Sequence, residues 1–361
     1  MRGGEKVLLS LLRLFPDATL HTLLHVRGSV APEIEARPIE ESFVGRLPAA
    51  AERYRSYLPL FPLAVEGLDV SGADLVISSS HCAAKSVLAR PDAVHVCYCH
   101  TPMRYVWDRF DDYFGPGRFP AALRPAAHAL AAALRGWDRW TAAGVDHFVA
   151  NSAYVAGRIA RYYGRDAEVI PPPVDTEYFT PGPDAPGAYD LVVSALVPYK
   201  RLELVLEAYR GSGREVRLVG TGPEAERLRA QAPAEARFFG RVDDAELREL
   251  YRGCRAVLLP GVEDFGIVPV EAMACGRPAV VYAEGGGAES VIAGETGLVF
   301  ADPTPRGLRA AVDALAGLRF NPQVLRSRAE SFSRDVFERR IRACVDRALE
   351  ARRAQGTRAS W

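Results

Sequence analysis

Glu263 and Glu271 bracket the segment of this chain richest in chemistry, Glu263-Asp264-Phe265-Gly266-Ile267-Val268-Pro269-Val270-Glu271. A β-type run at 256–260 leads into a loop carrying Glu263. A helix is predicted from near Gly266, with Glu271 in its early turns. Both carboxylates then lie at the C-terminal edge of a sheet, where open α/β folds bind ligands. A carboxylate there accepts two sugar or ribose hydroxyls at once. The helix start at Phe265, Gly266, Ile267 and Val268 offers N–H groups to a phosphate or a sugar oxygen. An acidic residue also favours a helix N-terminus for structural reasons alone, and that would account for Glu271 by itself. The whole segment, running on to Gly276-Arg277-Pro278, points to function.

Val197-Pro198-Tyr199-Lys200-Arg201 follows the first strand of the second half and opens a helix. Cations are unfavourable at that end of a helix, so Lys200 and Arg201 there argue for a bound anion. A fixed cation at Lys200 would stabilise a leaving diphosphate. Gly220-Thr221-Gly222-Pro223-Glu224-Ala225 fits Gly-x-Gly-x-x-Ala after a strand. It follows the second strand of its half, and no acidic residue ends the next strand to bind a ribose, so it is a weak dinucleotide signal. Gly220 and Gly222 serve either as a turn that lets a nucleotide approach the backbone or as a plain strand-helix turn. Gly285-Gly286-Gly287 follows the fifth strand, where backbone N–H groups can close on a ligand.

The first half contributes Cys99-His100-Thr101-Pro102-Met103-Arg104-Tyr105 at a strand end, with His100 placed to hydrogen-bond a sugar hydroxyl; a lone histidine is otherwise a structural residue. Gly3 and Gly4 can set backbone N–H groups beside phosphates or an acceptor. Trp107, Asp108, Asp111 and Asp112 either line an acceptor site or cap and solvate a helix. Arg118, Phe119, Arg124, Arg135, Trp137 and Trp140 either face a membrane carrying a lipid-linked glycan or pack a helix.

The elements that position these residues alternate. Apolar spacing at Val7, Leu8, Leu11, Leu12 and Phe15 predicts a helix directly after Gly3-Gly4. A glycine turn opening a helix normally follows a strand, so a strand is expected upstream of Met1. Strands are predicted at 19–24, 74–78, 93–98, 147–150 and 168–170, with helices over 120–140 and 152–163, the latter capped by Asn151-Ser152. Pro171-Pro172-Pro173 breaks sheet and helix alike. Beyond it, strands are predicted at 191–195, 216–220, 237–239, 256–260, 278–283 and 298–300, and a terminal helix at 336–353. Such alternation implies α/β architecture with parallel, doubly wound sheets. The expected domains are 1–172, 173–335 and a C-terminal helix in 336–361.

Zero formal net charge gives no case for broad nucleic-acid binding. The six cysteines lack Cys-x-x-Cys spacing and read as buried free thiols in a reducing cytosol. No run of 18 apolar residues and no leader pattern is visible, so a cytoplasmic protein is expected, with contact at a membrane surface left open. No Asp-x-Asp occurs. A metal-held sugar diphosphate is thus unsupported, and no metal or cofactor is expected.

Gly3-Gly4-Glu5-Lys6, His100-Thr101-Pro102, Asn151-Ser152, Pro172-Pro173-Val174-Asp175, Lys200, Gly220-x-Gly222 and Glu263-x7-Glu271 together resemble glycosyltransferase family 4, retaining enzymes of two Rossmann-like domains facing across a cleft (GT-B). The run from Cys99 to Asp108 with Val197-Pro198-Tyr199-Lys200 looks like the mannosyltransferases of polysaccharide and O-antigen assembly. The resemblance implies that Glu263 contacts the donor sugar, Glu271 the ribose, Lys200 the diphosphate, His100 the transferred sugar and Gly4 the phosphates. It implies an acceptor-side first domain and a donor-binding second domain. It also implies same-face attack by the acceptor, no bound metal, and a C-terminal helix returning to the first domain. Where the family often has an arginine five residues before the lysine, this chain has Ala195; Arg201 is one candidate to replace that contact.

The favoured reading is therefore a retaining transferase moving mannose from GDP-mannose to a glycan or polyprenyl-linked acceptor. A UDP-sugar transferase of the same fold, an inactive scaffold and an NAD(P)-dependent oxidoreductase are the alternatives.

Overall fold

A computed structural model describes residues 3–115, 119–183 and 187–358, with the side chains of 112, 113 and 355–358 outside the description. The chain divides into two compact units, Met1–Pro171 with Phe337–Trp361, and Pro172–Val336.

The second unit holds one six-stranded parallel sheet. Its strands are β7 (Tyr189–Val193), β8 (Glu215–Val219), β9 (Ala236–Gly240), β10 (Val257–Leu259), β11 (Ala279–Tyr282) and β12 (Gly297–Phe300), ordered β12-β11-β10-β7-β8-β9; strands β1 to β6 belong to the first unit. Strands buried on both faces read as continuous apolar runs, and β10 and β11, Val-Leu-Leu and Ala-Val-Val-Tyr, are buried throughout. Helices cover both faces. The Leu202–Tyr209 helix buries Leu202, Val205, Leu206 and Tyr209 in one core with Leu218 and Leu258. The Val268–Ala274 helix joins the other with Val257, Leu325 and Phe332. The order runs outward from β7 through β8 to β9, then restarts beside β7 with β10. That reversal lies between β7 and β10, where a doubly wound sheet opens a crevice at its strand ends.

The first unit has two parallel sheets. β3 (Leu75–Ser80), β4 (Val94–Cys99), β5 (His147–Ala150) and β6 (Ala167–Val169) form one in sequence order; β1 (Leu20–Thr22) and β2 (Ile39–Glu41) form the other. The Gly3–Leu14 helix serves both. Val7 and Leu11 pack with β4 residues Val94, Val96 and Tyr98, while Leu8, Leu9 and Leu12 pack with Leu20 and Ile39. The Arg334–Arg358 helix starts two residues before the predicted 336 and, from Phe337 on, belongs to this unit. Its Phe337, Ile341, Cys344 and Val345 pack with Tyr98 and Ile170. Strand β2 was not predicted, because its Ile-Glu-Glu composition carries no apolar pattern. All six cysteines are buried free thiols. No helix among the described residues is long and apolar enough to cross a membrane.

Candidate active site

In the second unit, Lys200 and Glu263 meet across the strand-order reversal. Lys200 sits in the loop after β7, Glu263 in the loop after β10, and Lys200 Nζ is ion-paired with Glu263 Oε1. The pair is largely shielded, with the side chains 17% and 13% exposed. The two loops run close together: a side chain at Gly261 would approach Tyr199 O at 2.9 Å and the Lys200 Cα at 3.0 Å. Glycine is what lets the loops sit so near.

Glu263 is also held through its backbone. It bridges Gly285 in the loop after β11, and its carbonyl accepts from Gly286 N at 2.8 Å. Gly285 has φ 95°, and a Cβ there would lie 2.6 Å from that carbonyl. The first two glycines of Gly285-Gly286-Gly287 thus serve to fix Glu263, whose carboxylate is presented from three converging loops.

Glu271 lies one turn into the Val268–Ala274 helix and is 3% exposed. Its Oε2 accepts from the Tyr251 hydroxyl at 2.7 Å. Burial, reinforced by the carboxylate, raises the Tyr251 pKa well above the ordinary phenol value, so the hydroxyl stays a donor. Tyr251 carries no sequence signal of this role. Nothing in local spacing signals its partnership with a residue twenty positions on.

Several other predicted residues are engaged with the protein itself. Phe265 is 3% exposed and packs against Phe332 with ring centroids 5.6 Å apart. The helix predicted from Gly266 begins at Val268, with Gly266 at φ 80° and Ile267 as its N-cap. Gly220, at φ 137°, would overlap the Ser194 carbonyl oxygen if it carried a Cβ; Gly222 would overlap Leu196 O. The chain's own backbone therefore already requires both glycines. Arg201 adopts a left-handed conformation, φ 55° and ψ 41°. Its guanidinium donates to Pro303 O at 2.6 Å and lies 5.7 Å from the Tyr282 ring centroid. Ala195 is exposed.

In the first unit, Gly4 and His100 come together. A Cβ on Gly4 would lie 3.8 Å from the His100 ring. His100 Nε2 shares a 2.8 Å hydrogen bond with Ser79 Oγ, and its carbonyl accepts from Asn151 Nδ2 at 3.0 Å. Burial of the ring, with His81 nearby, pushes its pKa down, which keeps the imidazole neutral near pH 7. A neutral imidazole bonds hydroxyls without adding charge. Gly3 begins the adjoining helix. Ser152 caps the next one by accepting from Val155 N at 3.0 Å.

Trp107 and Asp108, after His100, have structural partners. Trp107 stacks on Tyr162 at 4.6 Å and donates to Asp138 at 2.7 Å. Asp108 accepts from Arg158 and Tyr162, and Arg158 also donates to Thr101. Asp111 is exposed. The Asp112 side chain and Arg118 lie outside the described residues, as do Met1 and Arg2.

Two family models match the chain. "Glycosyltransferase Family 4" covers residues 1–178 and "Glycosyl transferases group 1" covers 181–331. The chain belongs to glycosyltransferase family 4. Among its relatives, a D-inositol 3-phosphate glycosyltransferase of Geodermatophilus obscurus is 32% identical over 56% of this chain and 56% of its own length. A GDP-mannose-dependent alpha-(1-6)-phosphatidylinositol monomannoside mannosyltransferase of Mycolicibacterium smegmatis is 35% identical over 41% of this chain and 47% of its own. This family 4 chain thus spans about half the length of the curated relatives it matches. Anabaena Alr3699/HepE, solved in complex with UDP, superposes with a TM-score of 0.69 at 17% identity, covering 96% of both chains. That likeness is one of fold, and the fold is GT-B.

Proposed function

We propose that this chain is a retaining glycosyltransferase that moves mannose from GDP-mannose to a glycan or polyprenyl-linked acceptor. The observation that carries the transferase reading is the Lys200–Glu263 pair, set on two loops at the strand-order reversal of the second unit. Crevices of this kind are where doubly wound sheets take their ligands. A donor diphosphate would compete with Glu263 for the Lys200 ammonium. Once Lys200 turns to the diphosphate, the Glu263 carboxylate is freed to accept sugar hydroxyls, and the cation meets the charge that grows on the leaving group. Glu271 would take the ribose hydroxyls, oriented by Tyr251. His100, neutral and fixed by Ser79, would bond a hydroxyl of the transferred sugar. Charge neutralisation rests with Lys200 and backbone N–H groups, so turnover without a divalent ion is part of the proposal.

The mannose and guanine assignments rest on the Cys99–Asp108 and Val197–Lys200 sequence runs and on the kinship with a mannosyltransferase. Calorimetric titration with GDP, UDP and NADH tests them, with Glu271→Ala as control. GDP binding that the substitution weakens supports the proposal. A preference for UDP keeps the transferase and overturns the donor. Binding of NADH alone points to the oxidoreductase, and binding of no nucleotide to an inactive scaffold. Turnover that survives a chelator supports the metal-free step, and turnover restored only by a divalent ion overturns it.

A further inference from the structure

We propose that Tyr98 is a positioning residue for sugar transfer: its ring sets the place of His100 from the two points where the chain crosses between the units. The role rests on the reading that His100 bonds the transferred sugar. The chain leaves the first unit after Pro171 and returns to it at Phe337. Tyr98 is buried in β4 and touches a residue beside each crossing, and His100 as well. Its hydroxyl donates to Ile170 O at 3.0 Å. Its ring packs edge-on with Phe337, centroids 5.6 Å apart and planes at 73°. The same ring meets His100 at 5.0 Å and 67°.

The sequence explains why a tyrosine stands there. β4 is buried from end to end. Alternation turns Val94, Val96 and Tyr98 to one core and Cys97 and Cys99 to another. A phenol in such a core must set its hydroxyl on an acceptor. Ile170 O offers one where β6 has ended, just before Pro171-Pro172-Pro173, which bring no N–H to continue a ladder. Burial raises the Tyr98 pKa well above the ordinary phenol value, so the hydroxyl stays a donor. Edge-to-face packing fixes the angle between rings as well as their distance, and a close-packed interior passes a displacement on. Inside the second unit, the segments that lead to the two crossings are paired. Val174 N donates to Phe332 O at 2.9 Å, Val174 bridges Ser333, and Asp175 pairs with Arg334 at 2.8 Å. The paired segments therefore lead to Ile170 and Phe337 together. Tyr98 carries the position of both to a histidine whose Nε2 is held by Ser79 Oγ at 2.8 Å.

Steady-state kinetics and proton NMR of the full chain test the proposal, with Tyr98→Phe, Phe337→Leu and Ile159→Val. Tyr98→Phe removes the hydroxyl and keeps both ring contacts. Phe337→Leu keeps an apolar side chain and removes one ring. Ile159 packs in the core on the other face of β4, so Ile159→Val controls for lost stability alone. The His100 ring signal is assigned by its loss in His100→Gln. It is expected to shift in Tyr98→Phe and in Phe337→Leu and to stay in place in Ile159→Val. With the donor that calorimetry selects, kcat should fall about tenfold or more in the first two variants. Affinity for the free nucleotide, which the proposed function places in the second unit, should hold. A His100 signal unmoved in both variants overturns the role, because a merely structural tyrosine lowers the melting temperature without moving that signal. A shifted signal at full kcat, or an equal shift in Ile159→Val, overturns it too. Full turnover in His100→Gln overturns the reading of His100 itself and the role with it, so the two failures are told apart.

Discussion

The Tyr251 hydroxyl lies 2.7 Å from Oε2 of Glu271, inside the core of the second unit. A carboxylate 3% exposed needs such a donor, because leaving it unpaired carries its full desolvation cost. Tyr251→Phe removes the donor while keeping the ring that packs edge-on to Phe179 at 5.6 Å. The expected loss of stability is about 1–3 kcal/mol, read from urea unfolding. If Glu271 binds the ribose, the same variant also weakens nucleotide binding in calorimetry. Unchanged affinity beside lowered stability would make the contact purely structural.

The Lys200–Glu263 pair predicts a different signature. Both side chains are largely shielded, so Lys200→Ala, which leaves the Glu263 carboxylate unpaired, should cost about 1–3 kcal/mol of stability. Turnover should fall as well, by about 10²-fold or beyond, if the ammonium meets the leaving diphosphate. Glu263→Gln should lower turnover too, and the double variant should lose less than the two single losses combined, since with Lys200 gone the Glu263 charge repels the diphosphate, a cost the double variant escapes. Full additivity would mean that the two act independently. The measurement is single-turnover transfer from the donor that calorimetry selects.

Much of the second unit was legible in the sequence, and the reason is physical. Strands such as Val257–Leu259 and Ala279–Tyr282 are covered on both faces and so appear as short apolar runs ended by Pro or Gly. The glycines at 220 and 222 were legible as positions of close approach. What approaches them was not, since the Ser194 and Leu196 carbonyls arrive from a loop some 25 residues away. The ion pair between Lys200 and Glu263 was hidden for the same reason: each loop could be placed at a strand end, but the strand order that makes β7 and β10 neighbours has no local signal. The Ile39–Glu41 strand escaped because two of its three residues are charged. The partners of Trp107 and Asp108, namely Asp138, Tyr162 and Arg158, come from later helices that no local spacing ties to them.

Gly220 predicts a steric result. At φ 137°, with the Ser194 carbonyl occupying the place of a Cβ, Gly220→Ala must move backbone rather than a flexible side chain. A loss of roughly 3 kcal/mol or more is expected. Gly213 also has positive φ, 68°, but open space around it. Gly213→Ala should therefore cost only the left-handed penalty, about 1–2 kcal/mol. Urea midpoints of the two variants, measured side by side, isolate the clash; equal losses would show that the turn after β8 moves aside freely.

His95 predicts how stability should depend on pH. It lies in β4, 1% exposed, and its Nε2 shares a 2.9 Å hydrogen bond with Ser78 Oγ. Burial pushes its pKa down to about 4 from the ordinary 6.5. In the unfolded chain the ring takes up a proton as pH falls below about 6.5; in the folded chain it resists until about 4. The unfolded state therefore binds more protons across that window, and stability falls as pH drops through it. Above pH 6.5 both states are neutral and the effect vanishes. The full penalty from this residue is on the order of 3 kcal/mol, reached near pH 4. His95→Gln keeps a hydrogen-bonding partner for Ser78 and removes the titration. Its urea midpoint should fall less than that of the wild type between pH 7 and pH 5, whatever its offset at pH 7. Parallel decline of the two proteins would mean that His95 accepts its proton in the folded state as readily as in the unfolded one.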